Sequence, residues 1–388
     1  MRIAITSPNN GAYSETFIAM QLNAFPDAMH IMGRPVATET RPGGAISLFQ
    51  LFKAGMLHPM RIWASARAGD QAKSSLRALW VEAQKLAVAG RLRRFRPSVV
   101  LANYGPSGAA MLDVTRSLGI PLVVHFHGVD AHLTSMVNAY RNEYERMSRE
   151  AAAVIVVSNA MKYALLKLGF QERKIHLLRC GVDLNQFSVG ARSDKQRLFF
   201  SLGRFVDKKA PYLTCLAFKK VHARFPDAKL VIGGDGPLLE ATANIASVLV
   251  LDDAILLPGK LTREEVVRYM TQAVAYVQHS ITPVRGEYEG DSEGTPVSVM
   301  EAMAMGLPVV ATAHTGITEI VEHGVDGFLS PERDIDQMAA NMISILESGD
   351  ALITMASNAR LKAEKQFSKD DYLDGIERVL RSVCKYKI

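Results

Sequence analysis

The stretch Glu293–Thr312 reads EGTPVSVMEAMAMGLPVVAT. Its two carboxylates, Glu293 and Glu301, are separated by seven residues that include a Gly-Thr-Pro turn. An apolar pattern with helical spacing follows the turn and ends at Gly306, just before a short apolar strand. Pro296 suits the first position of this predicted helix, because a residue there has no N–H partner to lose.

The predicted start of this helix favours an anion. The N–H groups of Gly294, Thr295 and Val297 would lie at its N-terminus, where the peptide dipoles attract negative charge. Glu293 precedes this point, and Glu301 lies about one and a half turns into the helix. A ligand with hydroxyls on both sides of a phosphate fits this layout, and a nucleotide-sugar is such a ligand.

The stretch resembles the E-x7-E region of the retaining glycosyltransferases of family 4. This resemblance implies an α/β protein with the GT-B fold, in which two doubly wound Rossmann-like domains face each other across a cleft. Without that context, Glu293 would be an ordinary solvated loop residue and Glu301 an ordinary helix residue. The rest of the chain therefore has to supply the two domains and the remainder of a site.

Composition favours a globular protein with two domains. The chain has 388 residues, of which 48% are hydrophobic and 22% charged. Its three cysteines lack C-x-x-C spacing, which favours a reducing compartment and neither disulfides nor a zinc site. No signal peptide or run of about 20 apolar residues is evident. We expect a cytoplasmic protein, with peripheral contact at the inner face of the cell membrane as an option.

The charge is divided unevenly between the two halves. Residues 1–190 contain 22 Lys/Arg against 12 Asp/Glu, whereas residues 191–388 contain 23 against 27. Much of the excess lies in residues 61–98, which also carry Trp63, Trp80 and Phe95. A basic segment with aromatic residues is typical of an anionic membrane surface, although a solvated helix face would look the same. No recognition motif accompanies the charge, so we expect no nucleic-acid partner.

Apolar runs alternate with helical patterns along both halves, which predicts two parallel sheets covered on both faces. We therefore expect an N-terminal domain at 1–190, a C-terminal domain at 191–388 and a boundary within the polar residues 181–196. The last helix, about 368–388, is expected to cross back to the first domain, as the resemblance implies. The predicted strands are 2–7, 99–102, 122–126, 154–157, 175–178, 198–202, 230–232, 255–257, 275–277 and 309–311. The predicted helices include one beginning near residue 14 and those around 71–95, 107–118, 134–150, 159–168, 211–224, 263–272, 297–305, 335–348 and 350–383.

Ligands of open α/β sheets bind beyond the carboxyl ends of the strands, so the loops there are the candidates for chemistry. His125 and His127 close one strand and share one face of it. The pattern does not separate the two histidines, but the following Gly128 favours His127, which matches the family position near the reacting sugar carbon. Asp130 is expected either to orient this histidine or to cap the next segment.

A basic loop follows the first strand of the second half. Arg204 and Lys209 resemble the Arg and Lys, five positions apart, that bind the donor diphosphate in the family. Fixed cations suit this role because the departing nucleoside diphosphate develops negative charge as the sugar bond breaks. Lys208 is the competing candidate to Lys209. The predicted catalytic residues are His127, Arg204, Lys209 and Glu293.

Glycine-rich loops follow other strands. The GGDGP sequence at 233–237 lacks a glycine at position 239, so it is not a dinucleotide fingerprint. The resemblance implies that this loop lines the nucleotide pocket, that residues 259–261 contact the base, and that the loop after the first strand borders the acceptor and the diphosphate. The predicted donor-binding residues are Gly11, Gly203, Gly234, Asp235, Gly236, Lys260, Leu261, Gly294, Thr295, Pro296, Val297 and Glu301.

No metal or cofactor is expected. Asp291 and Glu293 form a D-x-E sequence that could imitate a metal site, but GT-B enzymes generally need none, and Arg204 with Lys209 supplies the positive charge. The sequence shows no second carboxylate near His127 for a glycosidase-like pair. We therefore expect retention by a front-face route, in which the leaving phosphate takes the acceptor's proton.

The expected reaction transfers a sugar from a UDP- or GDP-sugar to a hydroxyl of a glycan or lipid-linked acceptor, in the synthesis of cell-surface polysaccharides or glycoconjugates. Glu301 would hold the ribose hydroxyls, and Glu293 would bind sugar hydroxyls beyond the diphosphate. A sugar-nucleotide epimerase and a non-catalytic nucleotide-sugar binder are the alternatives. A pyridoxal-dependent phosphorylase is a third.

Overall fold

The computed structural model describes residues 1–8, 15–32, 37–40, 70–188 and 196–384, with only the backbone described at 37–40 and 70–80. Two sheets contain the strands of these residues. The first has seven strands in the order β3-β2-β1-β4-β5-β6-β7, all parallel except β3 at one edge. They are β1 Ile3–Ser7, β2 Met29–Met32, β3 Ala37–Thr40, β4 Val99–Asn103, β5 Leu122–His125, β6 Ala153–Val156 and β7 Ile175–Leu177.

Helices connect the strands of the first sheet. Local signals set several of their ends: Pro106 lies in the first turn of one helix, Gly119 ends that helix in the left-handed conformation, and Ser158 caps another. The helices are α1 Thr16–Ala24, α2 Asp70–Phe95, α3 Gly105–Leu118, α4 Val129–His132, α5 Thr134–Ala139, α6 Arg141–Glu150 and α7 Asn159–Lys167, with a 3-10 turn at Glu172–Lys174.

The second sheet has six parallel strands in the order β10-β9-β8-β11-β12-β13. This is the doubly wound order with its switch point between β8 and β11, where a crevice for a ligand is expected. The strands are β8 Leu198–Leu202, β9 Lys229–Gly233, β10 Ile255–Gly259, β11 Ala275–Gln278, β12 Val309–Thr312 and β13 Gly327–Ser330.

The helices of the second half follow the same alternation until the last strand, after which three come in succession. Thr262 and Glu265 form a reciprocal capping box at the start of one of them. They are α8 Pro211–Arg224, α9 Leu239–Val248, α10 Arg263–Gln272, α11 Val297–Ala304, α12 Ile335–Glu347, α13 Asp350–Gln366 and α14 Lys369–Cys384, with 3-10 turns at Asp207–Lys209 and Thr315–Glu319.

The prediction of two doubly wound α/β units in series is confirmed, whereas β2, β3, β13, α4 and α9 are additional elements among the described residues. Each additional strand is short and lacks a clean apolar run; β2, for example, reads MHIM. The predicted helix at 134–150 is divided at Tyr140 into α5 and α6.

The last two helices differ in their packing. Helix α13 packs against α11 of the second half, while α14 contacts α1 and β4 of the first. Gln21 of α1 donates a hydrogen bond to the Tyr372 hydroxyl at 2.8 Å, and Val182 bridges to Ser368 where the chain crosses. Helix α14 is thus the element that returns to the first sheet.

Candidate active site

Helix α11 begins at Val297, with Pro296 as its N-cap rather than its first helical residue. The one-residue difference arises because Pro296 has an extended backbone, with ψ of 112°. Among the described residues, no group accepts a hydrogen bond from the N–H groups of Gly294, Thr295 or Val297. Unpaired N–H groups at a helix start are the donors that bind anions in proteins.

Lys209 and Glu293 contact each other beside this helix start. Lys209 Nζ lies 3.0 Å from Glu293 Oε1, and both side chains are largely buried. Burial works to raise the pKa of Glu293, but the charges of Lys209 and Lys208 outweigh it and hold the pKa at about 2. The carboxylate is therefore ionised at neutral pH, and the two predicted catalytic residues form one charged pair.

Lys208 points elsewhere. Its ammonium donates to Asp291 Oδ1 at 3.0 Å and to the Ser292 carbonyl at 3.3 Å, and the whole side chain is buried. Asp291, which the D-x-E sequence offered as a metal ligand, is thus the partner of a lysine. The 3-10 turn at Asp207–Lys209 directs the two adjacent lysines to different carboxylates, which leaves Lys209 at the helix start.

Arg204 is exposed, and its charge acts on Tyr104 of the first half of the chain. Burial raises the pKa of Tyr104, and Glu15 raises it further, while the charge of Arg204 opposes both. The Tyr104 hydroxyl donates to Glu15 Oε1 at 3.2 Å. Tyr104 also has a positive φ of 70°, a strained conformation for a non-glycine residue and one that clusters at functional sites.

His127 is half-buried next to Tyr104. Its ring stacks on that of Phe17, with centroids 4.1 Å apart, and its centroid lies 4.8 Å from that of the Tyr104 ring. Its Nε2 bonds Asn103 Oδ1 at 2.9 Å. Glu15 thus contacts Tyr104, whose ring packs against His127. The sequence could not show this, since Glu15 and Tyr104 are far apart along the chain.

His125 is fully buried beneath His127, with ring centroids 4.1 Å apart. Burial lowers the pKa of His125 to about 3, and burial together with His125 lowers the pKa of His127, so both rings are neutral. Of the two histidines, His127 is therefore the one placed to meet a ligand. Asp130 fixes the backbone of the turn after β5, because its carboxylate accepts hydrogen bonds from the N–H groups of His127, Gly128 and Gly105.

The predicted glycine loops pack closely on one another. A Cβ at Gly234 would lie 1.9 Å from the Gly203 carbonyl oxygen, and one at Gly236 would lie 2.6 Å from the Phe205 carbonyl oxygen. Gly234 and Gly236 have φ of 131° and 151°, which other residues rarely adopt. The loops after β8 and β9 are therefore shaped by glycine at the crevice of the second sheet.

Lys260 and Leu261, the residues expected to contact the nucleotide base, lie next to these loops. Lys260 pairs with Asp235 at 3.2 Å, and both side chains are largely exposed. Leu261 is buried against Gly233, where a Cβ would lie 2.4 Å from Leu261 Cδ1. Lys260 and Asp235 are thus accessible to a ligand, whereas Leu261 would act through its backbone or as packing.

Glu301 is buried inside α11 and bonds Arg263 at 2.7 Å. Burial raises its pKa to about 7 against the opposing charge of Arg263. The guanidinium of Arg263 in turn lies over the ring of Phe187, 5.1 Å from its centroid. The Tyr276 hydroxyl bonds Ser298 of α11 at 2.8 Å. Burial raises the pKa of Tyr276, and the charges of Glu301 and Glu293 add smaller increases.

The two halves touch directly at this site. A Cβ at Gly294 would lie 2.8 Å from the His127 carbonyl oxygen, so only glycine allows this approach. Thr295 Oγ1 donates to the Val157 carbonyl at 2.6 Å. Glu319 accepts hydrogen bonds from the first two N–H groups of α7. His127 and Glu293 therefore meet at one boundary, although they belong to different halves of the sequence.

Gly11 and residues 61–69 of the basic segment lie outside the described residues. In the described ranges, with their gaps, no group of three or more His, Cys, Asp or Glu side chains could hold a metal ion. None of the described helices combines the length and the apolar character needed to cross a bilayer.

Two family profiles match the chain in series. One, described as Glycosyltransferase Family 4, matches residues 61–186, and one described as Glycosyl transferases group 1 matches residues 183–362. Together they span residues 61–362, and they overlap at 183–186, in the segment that links the two sheets.

Two of the similar proteins are bacterial and are named for polysaccharide biosynthesis. The putative colanic acid biosynthesis glycosyltransferase WcaL of Escherichia coli K12 is 30% identical over 71% of this chain and 68% of its own length. The amylovoran biosynthesis glycosyltransferase AmsK of Erwinia amylovora is 28% identical over 84% of this chain and 77% of its own length.

A solved structure supports the fold. Anabaena Alr3699/HepE, in complex with UDP-glucose, superposes with a TM-score of 0.75 over 98% of this chain and 100% of its own, at 18% sequence identity. At that identity the likeness concerns the fold. The fold, the paired profiles and the relatives agree: the chain belongs to the family 4 glycosyltransferases, which have the GT-B fold.

Proposed function

We propose that this glycosyltransferase moves a sugar from a UDP- or GDP-sugar to a hydroxyl of a glycan or lipid-linked acceptor, with retention at the anomeric carbon. The observation that carries the proposal is the Lys209–Glu293 pair beside the free N–H groups at the start of α11. The cation and the donors suit the diphosphate, while Glu293 suits sugar hydroxyls on its far side.

Arg204 completes the positive charge. It is exposed on the second half and close enough to Tyr104 on the first for its charge to act on that hydroxyl, so we assign it to a diphosphate held between the halves. Its rigid fork suits phosphate oxygens, and two fixed cations would offset the charge on the departing group without a metal ion.

The retaining outcome follows a front-face route in this proposal. His127 is neutral, so it serves as a hydrogen-bond group or ring wall and not as a cation at the reacting carbon. The departing phosphate oxygen takes the proton of the acceptor hydroxyl as the new bond forms on the same face. Glu15 hydrogen-bonds Tyr104 on the first-domain side, and we assign it to acceptor positioning.

The names of the relatives suggest the class of acceptor. WcaL and AmsK are described as enzymes of colanic acid and amylovoran biosynthesis, which are polysaccharides. We therefore propose polysaccharide synthesis, at the cytoplasmic face of the membrane, as the setting for this chain.

The experiment has two stages. Thermal-shift screening against UDP-, GDP- and ADP-sugars first finds the donor. Turnover of that donor is then measured with and without a lipid-linked glycan acceptor, for the wild type and for Glu293→Ala and Arg204→Ala. Transfer that depends on acceptor, and that both substitutions abolish, supports the proposal. Donor isomerisation without acceptor, donor binding without turnover, or near-full activity of both variants would contradict it.

Donor affinity should depend on pH through Glu301. Ribose hydroxyls donate to the ionised carboxylate, so donor binding should strengthen by up to about tenfold per pH unit below the pKa of about 7 and then level off. Glu301→Gln should remove this dependence, because the amide does not titrate. Calorimetric titration of both proteins from pH 5.5 to 8.5 checks the result, and parallel pH profiles would contradict the ribose assignment.

The stability of the free protein should depend on pH in the opposite direction to donor affinity. The folded-state pKa of Glu301 lies above the ordinary value of 4.5 for a glutamate side chain, so folding favours the protonated form. Its contribution to stability is present below pH 4.5 and is lost as the pH rises to about 7. The thermal stability of Glu301→Gln relative to wild type should therefore increase across this range.

The basic segment 61–98 is proposed to contact an anionic membrane. Arg93 and Arg94 at the end of α2 are exposed. Replacing both by alanine should weaken binding to phosphatidylglycerol vesicles at least about tenfold, at about 1 kcal/mol per basic residue. Co-sedimentation measures this, with the exposed pair Lys219 and Lys220 of α8 replaced as a control. Sedimentation that is insensitive to anionic lipid content would contradict the membrane contact.

A further inference from the structure

His314 and Glu332 lie beyond the ends of two neighbouring strands, β12 and β13. His314 is fully buried, and its Nδ1 lies 2.6 Å from Glu332 Oε1. On its other side, His314 Nε2 accepts a hydrogen bond from the backbone N–H of Glu293 at 3.1 Å. The imidazole thus connects a carboxylate to the backbone of the residue that pairs with Lys209.

The hydrogen bonds fix the tautomer of His314. A backbone N–H can only donate, so Nε2 must present its lone pair to Glu293. The proton therefore resides on Nδ1, where it is donated to Glu332. This arrangement corresponds to the carboxylate–histidine pairing that orients an imidazole at metal sites, but here the oriented group is a backbone N–H.

Residues 282–292, which directly precede Glu293, are named loop 282–292. Glu332 also forms a hydrogen bond with the first residue of this loop. The N–H of Thr282 donates to Glu332 Oε2 at 2.9 Å. Arg333 donates to the same oxygen at 3.2 Å and to the Thr282 carbonyl at 2.8 Å. Glu332 therefore fixes the first residue of this loop, and His314 fixes Glu293, the residue that follows its last.

The middle of loop 282–292 meets the first half of the chain. The N–H of Thr134 donates to the Glu289 carbonyl at 3.0 Å, and a Cβ at Gly290 would lie 2.8 Å from the His132 carbonyl oxygen. The loop also carries Asp291, the buried partner of Lys208. Its position consequently affects both lysines and the boundary between the two halves.

We propose that His314 and Glu332 form a positioning dyad that sets the place of Glu293 and of loop 282–292 for the transfer reaction. The proposal rests on the proposed function, since Glu293 is the group being positioned. Neither dyad residue needs to touch the substrate. The dyad acts because a displacement of about 1 Å in a reacting group costs about 10²-fold in rate.

Two substitutions at His314 separate positioning from simple loss of stability. The terminal amide of Gln can accept from the Glu293 N–H and donate to Glu332, so His314→Gln keeps both bonds. His314→Leu keeps the volume and removes both. Glu332→Gln keeps the size of its side chain and weakens its bonds to His314 and Thr282.

The kinetic test compares these variants with wild type at saturating acceptor. His314→Leu should lower kcat about 10²-fold with little change in KM for the donor, and His314→Gln should restore most of the loss. Combining His314→Leu with Glu332→Gln should add little to the single effect, since the two residues act together. His222→Leu, at a half-buried histidine of α8 that bonds the Ala228 carbonyl, is the control.

Equal losses for His314→Leu and His314→Gln, or additive losses in the double variant, would overturn the dyad. Nitrogen-15 NMR of the histidine rings provides a readout that does not need activity: the His314 ring should show the Nδ1–H tautomer, and Glu332→Gln should change its signal. If the NMR signature is present but the wild type transfers no sugar, the proposed function fails and the dyad remains. If the wild type is active and another tautomer is found, the dyad fails alone.

Discussion

Lys209→Ala should lower kcat for sugar transfer about 10³-fold, the upper end of what one charge-stabilising group contributes. Lys209 is the cation that contacts Glu293 at the start of α11. Its removal leaves the departing diphosphate with one of its two fixed cations, Arg204. It also leaves the buried Glu293 carboxylate without its nearest cation, although Lys208 remains close by. The loss should therefore appear in kcat as well as in donor affinity.

Steady-state kinetics with the identified donor and acceptor measure this effect. Lys209→Arg should recover part of the rate, because it retains the charge in a different shape. Lys220→Ala removes an exposed lysine of α8 that pairs with Asp336 of α12, and it should leave kcat unchanged. A Lys209→Ala enzyme with at least a tenth of the wild-type kcat would contradict the assignment.

Gly316→Ala should lower activity at least about 10²-fold, because it displaces the residues around the helix start. A Cβ at Gly316 would lie 1.6 Å from the Gly294 carbonyl oxygen and 3.4 Å from the Ser158 side chain. The first neighbour is backbone and has no rotamer to change, so the segment carrying Glu293 must move. The second neighbour, on the first half of the chain, is at ordinary contact distance. The boundary between the halves is affected through Gly294, which packs against the His127 carbonyl oxygen.

Activity and melting temperature should both be measured for Gly316→Ala. Gly324→Ala serves as the control for instability: its φ of 80° strains an alanine, at a cost of about 1–2 kcal/mol, but no atom lies within 4 Å of the new Cβ. Gly324→Ala should thus melt earlier and keep its kcat. If Gly316→Ala loses no more activity than this control, the close approach to Gly294 does not matter for catalysis.

The sequence predicts the fold well where apolar runs are continuous. Strand β8 and helices α8 and α10 have the predicted bounds, because a buried parallel strand, a proline in the first turn and a capping box each leave a strong local signal. Strands β2 and β13 were missed because MHIM and GFLS carry no such run. Their place in the sheets is set by pairing with β1 and β12, which is tertiary information.

The site divides in the same way. The Glu293 turn, the helix start and the basic loop are local in sequence, so their residue types and spacing could be recognised. The sequence could not show which way the side chains of Lys208 and Lys209 point, because that depends on which of them pairs with Asp291 and which with Glu293. The contacts of Glu15 with Tyr104 and of His314 with Glu332 join separate loops, and only the folded chain brings them together.

The most direct test is a crystal structure of the protein with its UDP- or GDP-sugar bound. The account predicts a diphosphate within hydrogen-bond distance of Arg204, Lys209 and the N–H groups at the start of α11, with Glu301 at the ribose and Glu293 at the sugar. A donor bound elsewhere, with its diphosphate in contact with none of these groups, would contradict the account.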